Sequence, residues 1–531
     1  MPNKTSIANA GAQPRAALDP LRRRLLGGAA AAAVLWRGRA ALAQGARVAE
    51  PFTRRLPLPA LLSGKPQVDG SLGYALRMGA GSSELVAGLR TPTWGYNGSV
   101  LGPALRIPRG RVVSIDLRNA LNQAATTHWH GAHVPGDQDG GPQSFLDPGQ
   151  TQHYRFSLDQ PGATLWYHPH TDCLTGPQVW AGLAGLLLVD DGVDRQLGLP
   201  HRWGVDDLPL VLQDRRIGAD GRLQYMTDEI DRMGMKGDRF LVNGCEQPYV
   251  DVPAQWIRLR LLNGSNARVY NIALADSRPF HVIASDAGLL PRPVPLHSLL
   301  MVPAERYEIL LDCRGLQGKT LTLRSDSGDI VPELSMLPQL ADRFDRGSFD
   351  LLQLRVGAPT ATSGRLPPRL VDIAALHSAA PARRFSMQGM ASDPRPSPMA
   401  AQCSQAPGPG GMSMGLHGMD MFSINHAFMD IWVINQTVKL GATEIWQIRN
   451  DAQMMHPFHV HSTSFRIVDR GGLPLPEQER GWKDVVMVRP GETVRVIARF
   501  DQPAGKNHPF MYHCHILEHE DNGMMGQFTV S

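Results

Sequence analysis

The stretch Val112-Val113-Ser114-Ile115-Asp116-Leu117 alternates apolar and polar side chains with a period of two. The same period recurs in residues 256–262 and 494–500. Because successive side chains of a β-strand point to opposite faces, this alternation predicts strands with one buried face. Turn residues such as Asn263-Gly264 and Pro490-Gly491 bound these runs. Long helical periodicity is scarce, so the sequence predicts an all-β protein of sandwich or barrel domains.

The length and composition of the chain favour several such domains. A chain of 531 residues corresponds to about three domains. Its 54 glycines and 42 prolines suit many short strands joined by turns. The composition changes near residues 190–208 and again in a Pro/Ala/Ser-rich stretch near 357–383. We therefore predict three domains, over residues 45–192, 200–356 and 384–531.

Residues 1–43 have the order of an export signal. Arg22-Arg23-Arg24-Leu25-Leu26 opens an apolar run, and Ala41-Leu42-Ala43 then offers a small-residue cleavage site. The arginine pair resembles a twin-arginine signal, which would make the twin-arginine translocation machinery a partner. An ordinary secretory signal is the alternative. No later stretch reaches 18 uninterrupted apolar residues. We expect a soluble, monomeric periplasmic protein without stable membrane insertion.

The charge of the chain argues against a nucleic-acid partner. The net charge of +4 depends on the first 43 residues, which hold seven basic residues and one acidic residue. The remainder has 46 basic and 48 acidic residues, a net charge of −2. Such a balance gives a polyanion no electrostatic attraction.

Histidine is concentrated in short clusters. Ten of the 19 histidines fall in four of them, and each cluster holds one H-x-H pair: His128/His130, His168/His170, His459/His461 and His513/His515. On a strand, each pair would present two imidazoles on one face. Eight imidazole nitrogens exceed what one ion can bind, and they suit a cluster of about three copper ions. Structural zinc is a poor fit because it saturates at four ligands.

The remaining members of these clusters form a second donor set. His456, Cys514, His519 and Met524 supply two imidazoles, one thiolate and one thioether, which is the set of a blue-copper electron-transfer site. Cys514 lies between His513 and His515, so its thiolate would point away from their face. Satisfied core or surface histidines are the alternative for any single pair. Four pairs at these spacings argue against it.

The five cysteines are an odd number for an exported protein, so at least one thiol has no partner within the chain. We expect Cys514 to be that thiol. The pairing among Cys173, Cys245, Cys313 and Cys403 stays open.

The clusters resemble the signature of the multicopper oxidases, H-x-H-G, H-x-H, H-x-x-H-x-H and H-C-H-x3-H-x4-M. These motifs occur here at 128–131, 168–170, 456–461 and 513–524. Bacterial periplasmic cuprous oxidases are the most similar members. The resemblance implies three cupredoxin-like domains, with a trinuclear copper cluster between the first and third and a middle domain that acts as a spacer.

The resemblance also implies the ligands of four copper ions. The type 1 ion would be bound by His456, Cys514, His519 and Met524. The type 2 ion would be bound by His128 and His459. The type 3 pair would be bound by His130, His168, His515 and by His170, His461, His513.

The reaction implied by the resemblance is four one-electron oxidations of a donor coupled to reduction of O2 to two waters. This reaction needs four protons, and acids near the cluster should supply them. Asp139 and Glu520 match acids given that role in the family. Asp484 is a weaker candidate for supporting a ligand.

The electron donor is suggested by a methionine-rich segment over residues 387–421. It holds two glycine-flanked pairs, Met412/Met414 and Met419/Met421, and soft thioethers select Cu(I). Such a segment resembles the substrate cover of the cuprous oxidases, and Met454, Met455 and Asp451 would form the adjoining Cu(I) site. A flexible linker is the alternative. The segment is shorter than in the best-known members, and the acid ahead of His456 is displaced, so phenolic donors stay open.

Three functions therefore compete. The first is an O2-reducing oxidase of Cu(I), phenols or both, with a role in copper tolerance. The second is a laccase that acts mainly on organic phenols. The third is a non-catalytic copper-binding, export-associated or cell-division protein on the same fold.

Overall fold

Short strands dominate the computed structural model, which describes residues 50–327, 347–360, 363–378, 380–389 and 422–531. Its 31 strands form six sheets, and each sheet draws its strands from one of three stretches of chain. The helices among the described residues are at most seven residues long. The expected all-β class is confirmed.

The first stretch, residues 61–190, contains nine strands, one α-helix and a single 3-10 turn, Gly136–Gln138. The strands are β1 Leu61–Leu62, β2 Lys65–Pro66, β3 Leu72–Val86, β4 Leu89–Tyr96, β5 Ala104–Pro108, β6 Val112–Ala120, β7 Thr151–Ser157, β8 Ala163–Tyr167 and β9 Gly185–Asp190. One sheet has the order β1-β5-β9-β8, and the other has the order β2-β3-β6-β7 with β4 paired to β3. Helix α1 (Thr175–Ala181) lies between β8 and β9.

The second stretch begins after the short helix α2 (Val193–Leu197). Its strands are β10 Asp207–Arg215, β11 Arg239–Val242, β12 Cys245–Glu246, β13 Tyr249–Pro253, β14 Trp256–Asn263, β15 Tyr270–Leu274, β16 Phe280–Ser285, β17 Gly288–Leu296, β18 Ser298–Met301, β19 Arg306–Asp312, β20 Thr320–Asp326 and β21 Ser348–Gly357. They form a seven-stranded sheet, β12-β11-β10-β14-β19-β16-β17, and a five-stranded sheet, β13-β21-β20-β15-β18.

The third stretch, residues 383–530, carries two of the four histidine clusters. Its strands are β22 Arg383–Gly389, β23 Phe422–Ile424, β24 Gln436–Val438, β25 Thr443–Asn450, β26 His456–Val460, β27 Phe465–Arg470, β28 Val485–Val488, β29 Thr493–Arg499, β30 Phe510–Cys514 and β31 Met525–Val530. They form two five-stranded sheets, β23-β22-β25-β29-β27 and β24-β31-β30-β26-β28. Helix α3 (Leu517–Asp521) joins β30 to β31.

The apolar core of the third stretch continues into the other two. It includes Phe458, Trp446 and Phe510, and it extends to Trp166 of the first stretch and Val211 of the second. Burial of apolar surface thus fixes the end of β30, with its histidines, against residues from both other stretches.

The alternating pattern predicted strand burial correctly for β6 but not for β14. Strand β6 alternates buried with exposed or half-buried residues, as predicted. Strand β14 is buried at every position, so the expectation of one exposed face is wrong there. Arg260 donates to both carboxylate oxygens of Asp207, at 2.7 and 2.9 Å, and Arg258 donates to Glu308. Buried charges are tolerated when they are paired in this way.

The helices of the described residues are also too short to cross a membrane. Within those ranges, none of them has the length and apolar character to span a bilayer.

Candidate metal centre

Ten histidines and one cysteine bring their ligand atoms together in four buried groups. Within each group the candidate atoms lie within 4.8 Å of one another; the groups are His128/His459/His461, His130/His168/His515, His170/His461/His513 and His456/Cys514/His519. The first and third groups share His461, and the first three groups together contain all eight residues of the H-x-H pairs, which we call the imidazole cluster. The fourth we call the thiolate site. Each of these eleven side chains is at most 1% exposed.

The cluster forms where strand ends from the first and third stretches meet. His459 of β26 is paired with His513 of β30 in antiparallel register. In the first stretch, His128 and His168 form an isolated β-bridge through backbone hydrogen bonds of 2.8 and 3.2 Å. The expectation that each H-x-H pair lies within one strand is wrong. Residues 128–130 lie in a loop, and residues 168–170 follow the end of β8. The pairs His459/His461 and His513/His515 extend past the ends of β26 and β30.

The orientation of several rings is fixed by oxygen acceptors. The Nδ1–H groups of His128, His459 and His168 donate to the carbonyls of Asp139, Asp484 and Pro169 at 2.9, 2.7 and 2.8 Å. A carbonyl oxygen only accepts, so these rings carry their proton on Nδ1 and a lone pair on Nε2.

Lone pairs consequently face one another in the cluster. His461 donates from Nδ1 to Asp139 Oδ2 at 2.7 Å, and His513 donates from Nδ1 to the Cys514 carbonyl at 3.1 Å. Their Nε2 atoms are 3.2 Å apart. The Nε2 atoms of His128 and His459 are buried without a hydrogen-bond partner. Converging, deprotonated nitrogens repel one another unless a cation lies between them, so this donor set fits bound copper ions.

The thiolate site has the donors of a blue-copper centre. The Nδ1 atoms of His456 and His519 lie 3.3 and 3.5 Å from Cys514 Sγ and 3.2 Å from each other. Met524 is buried, and its backbone bonds to both Cys514 and His519 at 3.1 and 2.9 Å. Phe422 stacks on the His519 ring with centroids 3.7 Å apart. Two imidazoles and one thiolate at these separations fit a trigonal copper ion.

Burial sets the protonation of these donors. It lowers the pKa of His456 to about 3, so the imidazole is neutral and able to bind a metal. It lowers the pKa of His170 to about 4, despite the opposing effect of Glu520. Burial also raises the pKa of the Cys514 thiol, so a bound cation is needed to stabilise its thiolate.

Both expected acids contact the imidazole cluster. Asp139 Oδ2 accepts from His461, and its Oδ1 lies 3.5 Å from His128 Nδ1. Glu520 lies 3.1 Å from His513 Nδ1 and 3.5 Å from His170 Nδ1. Burial acts to raise the pKa of Glu520, but the two imidazoles outweigh it and lower this pKa to about 2. Asp484 Oδ1 accepts from His130 Nε2 at 3.1 Å.

Helix α3 ties these ligands to the other two stretches. Glu518 accepts hydrogen bonds from the Tyr225 hydroxyl and the Met235 amide at 2.9 and 2.8 Å. Asp521 accepts from the amides of Thr175 and Gly176 at the start of α1. His519 and Glu520 lie between these two anchors. The sequence analysis did not predict the anchoring role of Glu518 and Asp521. Their closeness to His519 in the sequence was the one feature that could have indicated it.

The candidate Cu(I) residues lie partly outside the described residues. Met412, Met414, Met419 and Met421 do so. Met387, the first methionine of the segment, is fully buried in the apolar core. Ahead of His456, Met455 is buried and Met454 is half-buried. Asp451 is exposed, and its carboxylate accepts from Ser386 and Arg449 at 2.6 Å each.

The other histidines and thiols take no part in the four groups. None of the other histidines in the described ranges belongs to a ligand group. His133, for example, contacts the Ser464 hydroxyl at 2.8 Å. Cys514 is a free thiol as expected, but Cys245 and Cys313 are free and buried as well. Cys173 is disulfide-bonded.

Comparisons with known proteins agree with this donor set. Two family models, both described as multicopper oxidase, match residues 78–194 and 413–531. The multicopper oxidase mco of Staphylococcus aureus is 32% identical over 480 residues, which cover 90% of this chain and 92% of that protein. The cell division protein FtsP of Xenorhabdus nematophila is 33% identical over 478 residues, which cover 90% and 92%.

Solved structures give the same result. The multi-copper oxidase from Pediococcus acidilactici superposes with a TM-score of 0.76 at 34% identity, covering 92% of this chain and 94% of that one. The laccase-like multi-copper oxidase CueO from the lignin-degrading bacterium Ochrobactrum sp. superposes with a TM-score of 0.75 at 34% identity, covering 90% and 100%.

Proposed function

The chain belongs to the multicopper oxidase family, and from that premise we propose that it couples oxidation of Cu(I), phenolic compounds or both to the reduction of O2 to water. Members of the family are copper-dependent oxidoreductases with O2 as acceptor. The observation that carries the proposal is the convergence of buried, deprotonated imidazole nitrogens from both ends of the chain beside a buried thiol.

The proposed ligands follow the geometry of the four groups. The thiolate site, with Met524 as the axial ligand, would hold the type 1 ion. His128 and His459, whose Nε2 atoms are unpartnered, would hold the type 2 ion. The type 3 pair would be held by His130, His168, His515 and by His170, His461, His513. We place these ligands in three cupredoxin-like domains over residues 45–192, 200–356 and 384–531.

When bound, copper would supply one-electron steps that link a donor at the thiolate site to O2 at the imidazole cluster. The chain itself connects the two places. Cys514 is joined through single peptide units to His513 and His515, whose rings lie in the cluster. This covalent route requires no diffusing carrier between the donor side and the O2 side.

Asp139 and Glu520 would handle the protons that water formation requires. Each carboxylate contacts Nδ1 of two cluster imidazoles, Asp139 at His461 and His128, and Glu520 at His513 and His170. They are 1% exposed, so bulk water does not reach them directly. Carboxylates in these positions would accept protons transiently and pass them on at a fixed place next to the reaction site.

For the donor, we propose Cu(I) bound by Met412, Met414, Met419 and Met421 together with Met454, Met455 and Asp451. Thioethers favour Cu(I), and Phe422, which stacks on His519, directly follows the methionine segment. Such an activity would serve copper tolerance.

Phenols are the second candidate donor. The carboxylate of Asp451, the acid ahead of His456, already accepts hydrogen bonds from Arg449 and Ser386, which would compete with a Cu(I) ion for it. The related Ochrobactrum enzyme is described as active towards lignin model compounds. The intact donor groups argue against a non-catalytic protein, although FtsP proteins are among the relatives.

We also propose that the protein is a periplasmic monomer. The twin-arginine-like motif at residues 22–26 would direct its export in folded form through the twin-arginine machinery. The copper ligands come from opposite ends of the chain, so folding must precede copper binding, and export after folding is compatible with that order.

The test uses the copper-loaded full chain. O2 uptake is measured with Cu(I) and with a phenol such as 2,6-dimethoxyphenol, and H2O2 is assayed. We expect an intense blue colour, O2 uptake with both donors and no H2O2. A variant with Met412, Met414, Met419 and Met421 replaced by Leu should lose most Cu(I) oxidation while it keeps phenol oxidation. A colourless wild-type protein without O2 uptake would contradict the proposal.

A further inference from the structure

A charged side chain of the second stretch reaches the imidazole cluster. Arg306, the first residue of β19, is fully buried and donates to both carboxylate oxygens of Asp484, from Nη1 at 2.6 Å and from Nη2 at 2.5 Å. The guanidinium is itself held by backbone carbonyls, those of Ala304, Asp286 and Thr164. Every donor of this planar group therefore has an oxygen partner, which leaves the fork a single orientation.

Asp484 in turn holds two members of the cluster. Its Oδ1 accepts from His130 Nε2 at 3.1 Å, which leaves the His130 Nδ1 lone pair to face His168 Nε2 at 3.4 Å. Its backbone carbonyl accepts from His459 Nδ1 at 2.7 Å, which leaves the unpartnered Nε2 of His459 in the cluster. One residue thus sets the ring orientation of two candidate ligands.

The backbone of Asp484 is fixed from the second stretch as well. Asp286 accepts from the amides of Asp484 and Val485 at 3.2 and 3.3 Å, and from the amide of Arg306 at 2.9 Å. Lys483 lies 3.0 Å from Asp286. These residues are all at most 1% exposed, so water does not compete for their hydrogen bonds.

Gly131, the last residue of the H-x-H-G motif, leaves space for this arrangement. A Cβ at residue 131 would lie 2.5 Å from Asp484 Oδ2 and 2.9 Å from Arg306 Nη2. The residue also has a φ of +83°, which glycine adopts without strain. The backbone of residue 131 therefore lies so close to the Arg306–Asp484 ion pair that a side chain there would clash with it.

We propose that Arg306 is a positioning residue of the trinuclear copper cluster, acting through Asp484 on His130 and His459. The middle domain is then more than the spacer that the family resemblance implied, because it orients one ligand of the type 3 pair and one of the type 2 ion. The inference rests on the ligands assigned under the proposed function.

The test compares copper retention in three full-chain variants. Arg306→Met removes the charge and the fork, and Arg306→Lys keeps the charge without the fork. Arg260→Lys is the matched control, because Arg260 forms a buried two-point pair with Asp207 and contacts none of the cluster imidazoles. Each protein is dialysed against increasing chelator. The intensity of the blue band measures the copper in the thiolate site. Subtracting this amount from the total copper gives the copper in the cluster.

We expect Arg306→Met to hold cluster copper roughly 10–100-fold more weakly than wild type while the blue band persists, as for other residues that orient metal ligands. The affinity of Arg306→Lys for cluster copper should fall between those of wild type and Arg306→Met, and the affinity of Arg260→Lys should match that of wild type. Asp484→Asn, made alone and together with Arg306→Met, tests whether the two residues act together. The double variant should bind cluster copper no more weakly than the weaker-binding of the two single variants, because both changes act on the same two rings.

Two results would overturn the inference: unchanged cluster copper in Arg306→Met, or equal losses in Arg306→Lys and Arg260→Lys. If Arg306→Met fails to fold, the comparison of the two Lys variants decides the question. A wild-type protein that binds no copper would overturn the proposed function first, and the inference with it. A wild-type protein with four copper ions and an indifferent Arg306 would overturn the inference alone.

Discussion

The imidazole cluster and the thiolate site meet at residues 513–515 but have different surroundings. Cys514 belongs to the thiolate site, and its neighbours His513 and His515 belong to the cluster. In the cluster, carboxylate or carbonyl oxygens contact the Nδ1 atoms of most rings, with Asp139 and Glu520 each contacting two imidazoles. In the thiolate site the candidate ligand atoms are the Nδ1 atoms of His456 and His519, and the other ring nitrogen of each, Nε2, has no hydrogen-bond partner. The walls of this site include Phe422 and Met524 from the apolar core.

This difference separates two kinds of chemistry along one strand. Oxygen acceptors fix the rings, and under the proposed function they also provide places for the protons that O2 reduction consumes. Apolar walls exclude water from the thiolate site, so a metal there keeps its geometry and exchanges electrons only. Four changes test the contrast between the two surroundings.

Cys514→Ser should have the largest effect. The blue band should vanish and turnover should fall to background, while the cluster keeps its copper, so that copper per chain drops from about four to about three. Visible absorption, copper analysis and O2 uptake measure this. Cys313→Ser, which removes another buried free thiol, serves as the control. A blue band that survived in Cys514→Ser would contradict the assignment of the thiolate site.

Asp139→Asn and Glu520→Gln should affect only the cluster. Turnover should fall roughly 10²-fold or more, as for the loss of a group that transfers protons, while the blue band is unchanged. Asp137→Asn is the control, since Asp137 is an exposed acid two residues from Asp139. Equal rates for the Asp139→Asn and Asp137→Asn variants would exclude the proposed proton role.

The copper-free protein should lose stability as the pH falls. His170 has a folded pKa of about 4 against an ordinary value of 6.5, so below pH 6.5 the unfolded chain binds more protons than the folded one. One such group contributes about 2 kcal/mol less to the free energy of unfolding at pH 5 than at pH 8.

Urea unfolding of the copper-free protein between pH 8 and pH 5 measures this loss. Most of it should come from the cluster, which holds eight of the ten imidazoles in the four ligand groups. Stability that stayed constant or rose on acidification would mean that these rings are not buried in the neutral form.

Phe422→Leu should have the smallest effect. It removes the ring stacked on His519 but keeps an apolar side chain there, so we expect a small shift of the blue band and less than about a threefold change in phenol oxidation. Phe385→Leu, in the same core but in contact with Trp446 and Tyr512, is the control and should leave the band in place. A shift in cluster copper would show that the two centres are less separate than their surroundings indicate.

The donor types of the two sites were predictable because they depend on short spacings. In an extended H-C-H, Cys514 faces away from its two neighbours, and the structure places His513 and His515 in the cluster and Cys514 in the thiolate site. The strand class followed from alternation for the same reason. Both features need only local sequence.

Other features depend on partners that are distant in sequence. Arg258 and Arg260 occupy alternating positions that indicate a solvent-facing side, but acids from other strands pair with them and allow burial. The orientation of rings in the H-x-H pairs is set by acceptors such as Asp139 and Asp484, which the pairs themselves do not reveal.

The most direct test of the account locates the metal itself. Crystals of the copper-loaded protein, measured at the copper absorption edge, should give four anomalous peaks per chain. One should lie beside Cys514 Sγ, and three should lie among the eight imidazoles of the cluster. Fewer peaks, or peaks on residues outside these two sites, would contradict the claim that the two ends of the chain together hold four copper ions.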